Sequence, residues 1–294
     1  MSSKQVTYNK NSSKKYGWKP DWFGAEGYED DLIEKVIEFQ KKMSLTPDGL
    51  VGPSTYRRIY TEREANIDDY EPCGEHIIYN GQFFPIEWDR VINWDEPGGL
   101  RMNSGTYTSY AGKEPREVTM FVNHWDVCLN SKSCVDVLNR KKSSVHFCID
   151  NDGTIYQILD MQHHAWHASN KTVNRLSVGV EISNAYYLKY QDWYEKRFGP
   201  RPIITDAVVH GETLETHLGF YPVQLEALKA LWKAVSSALN VPLAAPMKGG
   251  GLDRGVNYEV YKGRFKGFIN HYNVTDSKID CADLDLLEML EEVK

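Results

Sequence analysis

The chain has 294 residues, 26% of them charged and 41% hydrophobic, and a formal net charge of -7. That length can bury a sizeable core and sets an expectation of about two domains. The acidic balance, without a block of Lys and Arg, argues against a nucleic-acid binder that tracks phosphates, and no apolar run is long enough to span a membrane.

Residues 1–15 are polar, rich in Ser, Lys and Asn, and read as a disordered tail. They contain no apolar h-region, so no Sec-type signal peptide is expected, and the chain is expected to be soluble and made in the cytoplasm. From Asp30 a helical period sets in, with Leu32, Ile33, Val36, Ile37, Phe39 and Met43 at three- and four-residue spacings. Pro47-Asp48-Gly49 is a turn signal. A second helix follows Val51-Gly52-Pro53, with Ser54 or Thr55 as its N-cap and Tyr56, Ile59 and Tyr60 facing inward. A unit of roughly fifty residues is near the lower limit for an independent core.

The run Val36-Ile37-Glu38-Phe39-Gln40, followed by Asp48-Gly49-Leu50-Val51-Gly52-Pro53-Ser54-Thr55, resembles the helical peptidoglycan-binding domain attached to many cell-wall hydrolases. The resemblance covers residues 16–66. It implies a small all-α wall-binding module.

Residues 67–74 continue a charged stretch and suit a linker, leaving 75–294 as the second domain. His76–Tyr79, Asn80-Gly81 and Gln82–Phe84 read as a hairpin around an Asn-Gly turn. A loop runs from Pro97 to about Glu114. Thr119–His124 is a short buried strand, and a helix is expected from Ser131 or Ser133 to about Arg140. Val145–Ile149, the turn 150–153 and Thr154–Ile158 make a second hairpin; Val178–Ser183 is a third core strand. Residues 185–221 form a long insertion rich in aromatics, which precedes an amphipathic helix from Pro222. Strands interleaved with helices predict an α/β domain with a central mixed sheet flanked by helices.

Two strand ends share one pattern, Phe121-Val122-Asn123-His124 and Phe268-Ile269-Asn270-His271. Two such strands can deliver two imidazoles to one metal. With Asp280 or Cys281 they supply three protein ligands, the number a catalytic zinc site uses while keeping one position open. Taken singly, each histidine is more often a satisfied hydrogen-bonding residue. Glu181 lies in mid-strand, on the face opposite Val178, Val180 and Ile182. A carboxylate there is costly unless it is paired, for instance to Arg175, or serves as a general base. Lys278 fits either a solvated loop lysine or a stabiliser of developing negative charge. The five cysteines (73, 128, 134, 148 and 281) include no C-x-x-C pair. Cys128 and Cys134 are close enough in sequence to bridge, and fit two free thiols equally well.

Residues 117–290 resemble the type-2 N-acetylmuramoyl-L-alanine amidases, zinc enzymes related to peptidoglycan recognition proteins. The matching pieces are Phe121–His124, Val145–Gln157, Ala165-Trp166-His167-Ala168, Ser177–Ile182, and His271 with Lys278-Ile279-Asp280. The resemblance implies that His124, His271 and Asp280 bind zinc, that Glu181 is the base, and that Lys278 supports the oxyanion. Two positions depart from the family. Val145 stands where some members have a catalytic tyrosine, and Cys281-Ala282 replaces the usual Pro-Gly. Cysteine is the third ligand in part of the family, so Cys281 stays an alternative; the Lys-x-ligand spacing favours Asp280. His146, Trp166 and His167 are candidates for the substrate groove, His146 equally for a structural role. His163, His164, His210 and His217 fit no ligand spacing. The expectation is a monomeric peptidoglycan hydrolase of phage endolysin type, with a catalytically silent peptidoglycan receptor as the alternative.

Overall fold

An apolar stripe at helical spacing organises the N-terminal unit. In helix α2 (Asp30–Lys42) Leu32, Ile33 and Val36 share one face and are fully buried. Asp30 and Asp31 in its first turn and Lys41 and Lys42 in its last complement the helix dipole. Helix α3 (Pro53–Ala65) starts at Pro53, ahead of the expected Ser54 or Thr55 cap, since proline's missing N–H is no loss in a first turn. Ile59 is buried and Tyr56 half-buried, whereas Tyr60 is 44% exposed and does not face inward as expected. Gly49 sits at φ +72°, where a Cβ would also lie 2.8 Å from Ile33 Cγ2.

The computed structural model describes residues 3–65 and 76–294, in two compact units divided after Pro72. The expected linker 67–74 lies outside the described residues. The expected disordered tail is corrected: Ser3–Tyr16 form helix α1. This helix has no apolar stripe and docks through polar side chains. Asn9 Oδ1 accepts from the Val51 N–H at 2.9 Å while Asn9 Nδ2 donates to Gly49 O at 2.9 Å. Ser12 Oγ donates to Val51 O and accepts from Trp18 Nε1. These bonds satisfy the backbone of the Asp48–Val51 turn, which would otherwise be buried without partners.

In the second unit the expected first hairpin is β1 (His76–Tyr79) and β2 (Gln82–Pro85), with β3 (Val91–Asn93) and β4 (Tyr107–Thr108) after it. Strand β5 (Met120–Trp125), helix α4 (Ser131–Lys141), β6 (Phe147–Ile149) and β7 (Ile155–Gln157) follow in the predicted order. Asn130 caps α4, accepting from the Ser133 N–H. Next come β8 (His164–Ala165), α5 (Lys171–Leu176) and β9 (Ser177–Ile182). The insertion holds α6 (Gln191–Phe198) and two short ladders: β10 (Ile203–Ile204) with β13 (His217–Leu218), and β11 (Val208–Val209) with β12 (Glu212–Thr213). Helix α7 (Pro222–Leu239), the pair β14 (Met247–Lys248) and β15 (Gly251–Leu252), α8 (Tyr258–Tyr261), β16 (Gly267–Asn270) and α9 (Leu286–Val293) complete it.

Six strands form the central sheet in the order β16-β5-β9-β6-β7-β3, parallel except between β6 and β7. This is the mixed sheet expected. Both faces are covered, as largely parallel sheets require. On one side Leu228, Leu231, Trp232 and Val235 of α7 pack on Phe121, Val178, Val180 and Phe268; each such side chain contributes about 1.5–3 kcal/mol. On the other, Val173, Leu176 and Val260 pack on Met120, Val122 and Ile269. Because β5, β9 and β16 run parallel, their C-terminal ends share one edge, where open α/β sheets present their ligand sites. No helix among the described residues is long and apolar enough to cross a membrane.

Arg201 fastens the insertion to that edge. Its guanidinium is buried between Tyr194 and Tyr221 and donates to Asn151 Oδ1, Ser183 O, Gly219 O and Gln224 Oε1.

Candidate metal centre

The register sets the site. His124 of β5 pairs with Glu181 of β9, and Asn123 pairs with Asn270 of β16, so His271 emerges level with His124. After Asn270 the chain bends into a single 3-10 turn, His271–Asn273, closed by Asn273 Oδ1 accepting from the Asn270 N–H at 3.0 Å. Asn270 Nδ2 donates to Cys281 O and the Tyr272 N–H donates to Asp280 O, which returns Asp280 to the side of His271.

The result is a triangle of ligand atoms. His124 Nδ1 lies 3.0 Å from His271 Nδ1, and Asp280 Oδ2 lies 3.2 Å from the first and 3.0 Å from the second. A carboxylate accepting from two ring N–H groups explains two of these edges. The third brings two ring nitrogens together as lone pair against lone pair or proton against proton, unless their tautomers differ. A cation between all three relieves it. Tetrahedral zinc with bonds of about 2.0–2.1 Å spaces its ligand atoms by roughly 3.3 Å, close to these edges. All three residues are buried and together could hold a metal ion.

The electrostatics favour the ligand forms. Burial, with His271 close by, pushes His124 down to about 4. For Asp280, burial opposes ionisation, but His271 and His124 outweigh it and hold the carboxyl well below the usual range. Cys281, the alternative ligand, is absent from the triangle. Its side chain is fully buried in the apolar core, and that burial drives the thiol well up.

Glu181 is half-buried, and its Oε2 is enclosed with no hydrogen-bond partner among the described residues. The alternative salt bridge to Arg175 is not formed; Arg175 is exposed. Burial, with Asp126 and Asp280 adding negative charge, raises the Glu181 carboxyl well above its usual value, and Lys278 opposes this. Lys278 is half-buried, and its carbonyl accepts from His210 Nε2 at 2.9 Å.

His167 bridges His124 to β9: His124 Nε2 lies 2.9 Å from His167 Nδ1, and His167 Nε2 lies 3.2 Å from Ser177 Oγ. Gly179 makes the room, since a Cβ there would meet the His167 ring at 2.7 Å. His146 is fully buried. Its Nδ1 accepts from the Gly179 N–H, and its Nε2 lies 3.0 Å from His163 O and 3.3 Å from Arg116 Nη2. Trp166 is 37% exposed, its indole N–H on Thr108 Oγ1. Cys128, Cys134 and Cys148 are free thiols, the first two unbridged. Asp126 belongs to none of the motifs in the sequence. It is a buried carboxyl raised to about 7 by that burial, against three hydrogen bonds that lower it. Its only sequence signal is an acid two residues beyond a strand-end histidine.

A search of curated proteins finds no match. Among solved structures, the chain is similar to the endolysin N-acetylmuramoyl-L-alanine amidase LysCS from Clostridium intestinale URNW, at 14% identity and TM-score 0.40, over 69% of this chain and 95% of that one. It is similar to a mutant endolysin from Bacillus subtilis at 17% identity and TM-score 0.36, over 69% and 96%. It is also similar to AmpDh3 from Pseudomonas aeruginosa in complex with anhydromuramic pentapeptide, at 18% identity and TM-score 0.39, over 66% of each. Residues 114–280, more than half of the chain and all three corners of the triangle, match the Amidase_2 family, so the protein belongs to the N-acetylmuramoyl-L-alanine amidases.

Proposed function

We propose that the protein is a zinc-dependent peptidoglycan hydrolase that cleaves the amide between N-acetylmuramic acid and L-alanine. The observation that carries this reading is the His124–His271–Asp280 triangle, with Glu181 on the neighbouring strand. Zinc held there would polarise the lactyl carbonyl and bring the pKa of water to about 7. Glu181, unpaired and with a raised pKa, takes a proton from the attacking water and delivers it to the leaving alanine amine. Lys278 offsets negative charge growing on the carbonyl oxygen. His167 keeps His124 in one orientation, and Trp166 offers an exposed face to the substrate. His146, being buried, supports β9 instead.

The helical module around Asp48–Thr55 would retain the enzyme on the wall. That combination fits a monomeric phage endolysin that reaches its substrate once the host membrane is opened. Digestion of purified peptidoglycan tests the activity: new alanine amino groups without new reducing sugar ends are expected. Wall binding with no released amino groups would instead identify a silent receptor. Lys278→Ala is expected to lower kcat by about 10²–10³-fold with zinc content unchanged. An unchanged kcat would return Lys278 to the class of solvated loop lysines.

A further inference from the structure

We infer that Asp126 is a positioning residue, a clasp that fixes the strand carrying Glu181 against the strand carrying His124. This rests on the amidase reading above for its link to catalysis, and on hydrogen-bond geometry for the clasp itself. Asp126 leaves the end of β5 two residues after His124. Its Oδ1 accepts from the Asn184 N–H at 3.0 Å and the Cys128 N–H at 2.8 Å, and its Oδ2 accepts from Ser183 Oγ at 3.1 Å. Its own N–H donates to Ile182 O at 3.2 Å. Ser183 and Asn184 directly continue the strand that ends at Ile182, so one side chain ties both strand ends beside the site.

Two further features mark the clasp as built. Ser183 is fully buried; its Oγ meets Ser131 Oγ at 3.2 Å, and its carbonyl accepts from Arg201 and Gln224. Val127 is held at φ +52°, a region costly for a β-branched residue, and the Asp126–Cys128 bond closes the turn over it. The turn therefore carries local strain beside the site, and Asp126 holds it in place.

Neither Ser183 nor Asp126 belongs to the triangle, and β9 supplies none of its corners. The clasp therefore acts on the placement of Glu181 relative to the metal ligands, and a shift of about 1 Å in such a group can cost 10²-fold in rate. In the zinc-loaded full chain, Asp126→Ala is expected to lower kcat on peptidoglycan by about 10–100-fold at nearly unchanged KM. Zinc affinity, read by competition with a chromophoric chelator, should stay within about threefold, since all three ligands remain. Asp126→Asn should recover most of the rate, because its oxygen can still accept from both amides and its NH2 can donate to Ser183 Oγ. An Asn variant as impaired as the Ala variant would overturn the proposal and make Asp126 a proton-transfer group. A loss of zinc affinity as large as the loss of kcat would also overturn it. Should Asp126→Ala fail to fold, Ser183→Ala removes the Oδ2 arm of the clasp, together with the Ser131 contact, and leaves both backbone amides on Asp126; a several-fold fall in kcat is expected, and an unchanged kcat counts against the clasp. Amide hydrogen exchange is independent of the reaction. Asn184 and Cys128 should lose protection in Asp126→Ala, and unchanged exchange would overturn the clasp even if wild-type protein proved inactive on peptidoglycan.

Discussion

Glu181→Gln should lower kcat on peptidoglycan by about 10²–10⁴-fold, the usual contribution of general acid–base catalysis, with zinc content equal to wild type. The amide keeps the shape and a carbonyl acceptor but has no basic oxygen to take a proton. The same substitution should raise Tm, because the amide carries no charge to bury and none for Asp126 and Asp280 to repel. Glu181 Oε2 is enclosed without a partner among the described residues, and Asp126 and Asp280 repel its charge. Opposite movements of rate and stability are the mark of a residue kept for function. Thermal melts beside a zinc assay and a progress curve measure all three quantities. Full activity in a fully zinc-loaded Gln variant would remove Glu181 from the mechanism.

The second large effect separates two neighbours. Asp280→Ala removes one of three ligand atoms and should abolish stoichiometric zinc, while Cys281→Ala should retain it, since the thiol points into the core. Retention of zinc by Asp280→Ala with loss in Cys281→Ala would reverse the assignment. Chelation itself should lower Tm, because a metal held by the triangle would bind the folded state alone. It should also create an acid sensitivity. Without metal, His124 is held down to about 4 by burial, while in the unfolded chain it titrates near 6.5. Between those values the unfolded chain takes up a proton that the folded one refuses. Stability of the zinc-free protein therefore falls as pH drops from about 6.5 to 4, by about 3 kcal/mol in total. Denaturant melts across that window, with and without zinc, check the sign.

Period and motif made most of the catalytic domain legible. Strand alternation exposed Glu181 as a carboxylate in an apolar strand, and the repeated Phe-x-Asn-His ending announced two level histidines. Helix α1 was illegible because it docks through Asn9, Ser12 and Ser13, and polar docking leaves no hydrophobic period. His146 and His167 look alike in sequence; one is fully buried on the Gly179 N–H and the other touches His124, a difference that only three-dimensional packing creates. Asp126 is not legible in the sequence because its partners, Ser183 and Asn184, lie nearly sixty residues away.

Arg201 has a consequence for how the molecule comes apart. A buried cation with two aromatic faces and four acceptors, none a carboxylate, is tolerated only while every acceptor stays in place. Those acceptors come from the insertion, from α7 and from the ends of the sheet. Residues 185–221 are thus no detachable loop but part of the same cooperative unit as the strand bearing Glu181. An exchange of this segment between relatives would have to carry Arg201's acceptors with it.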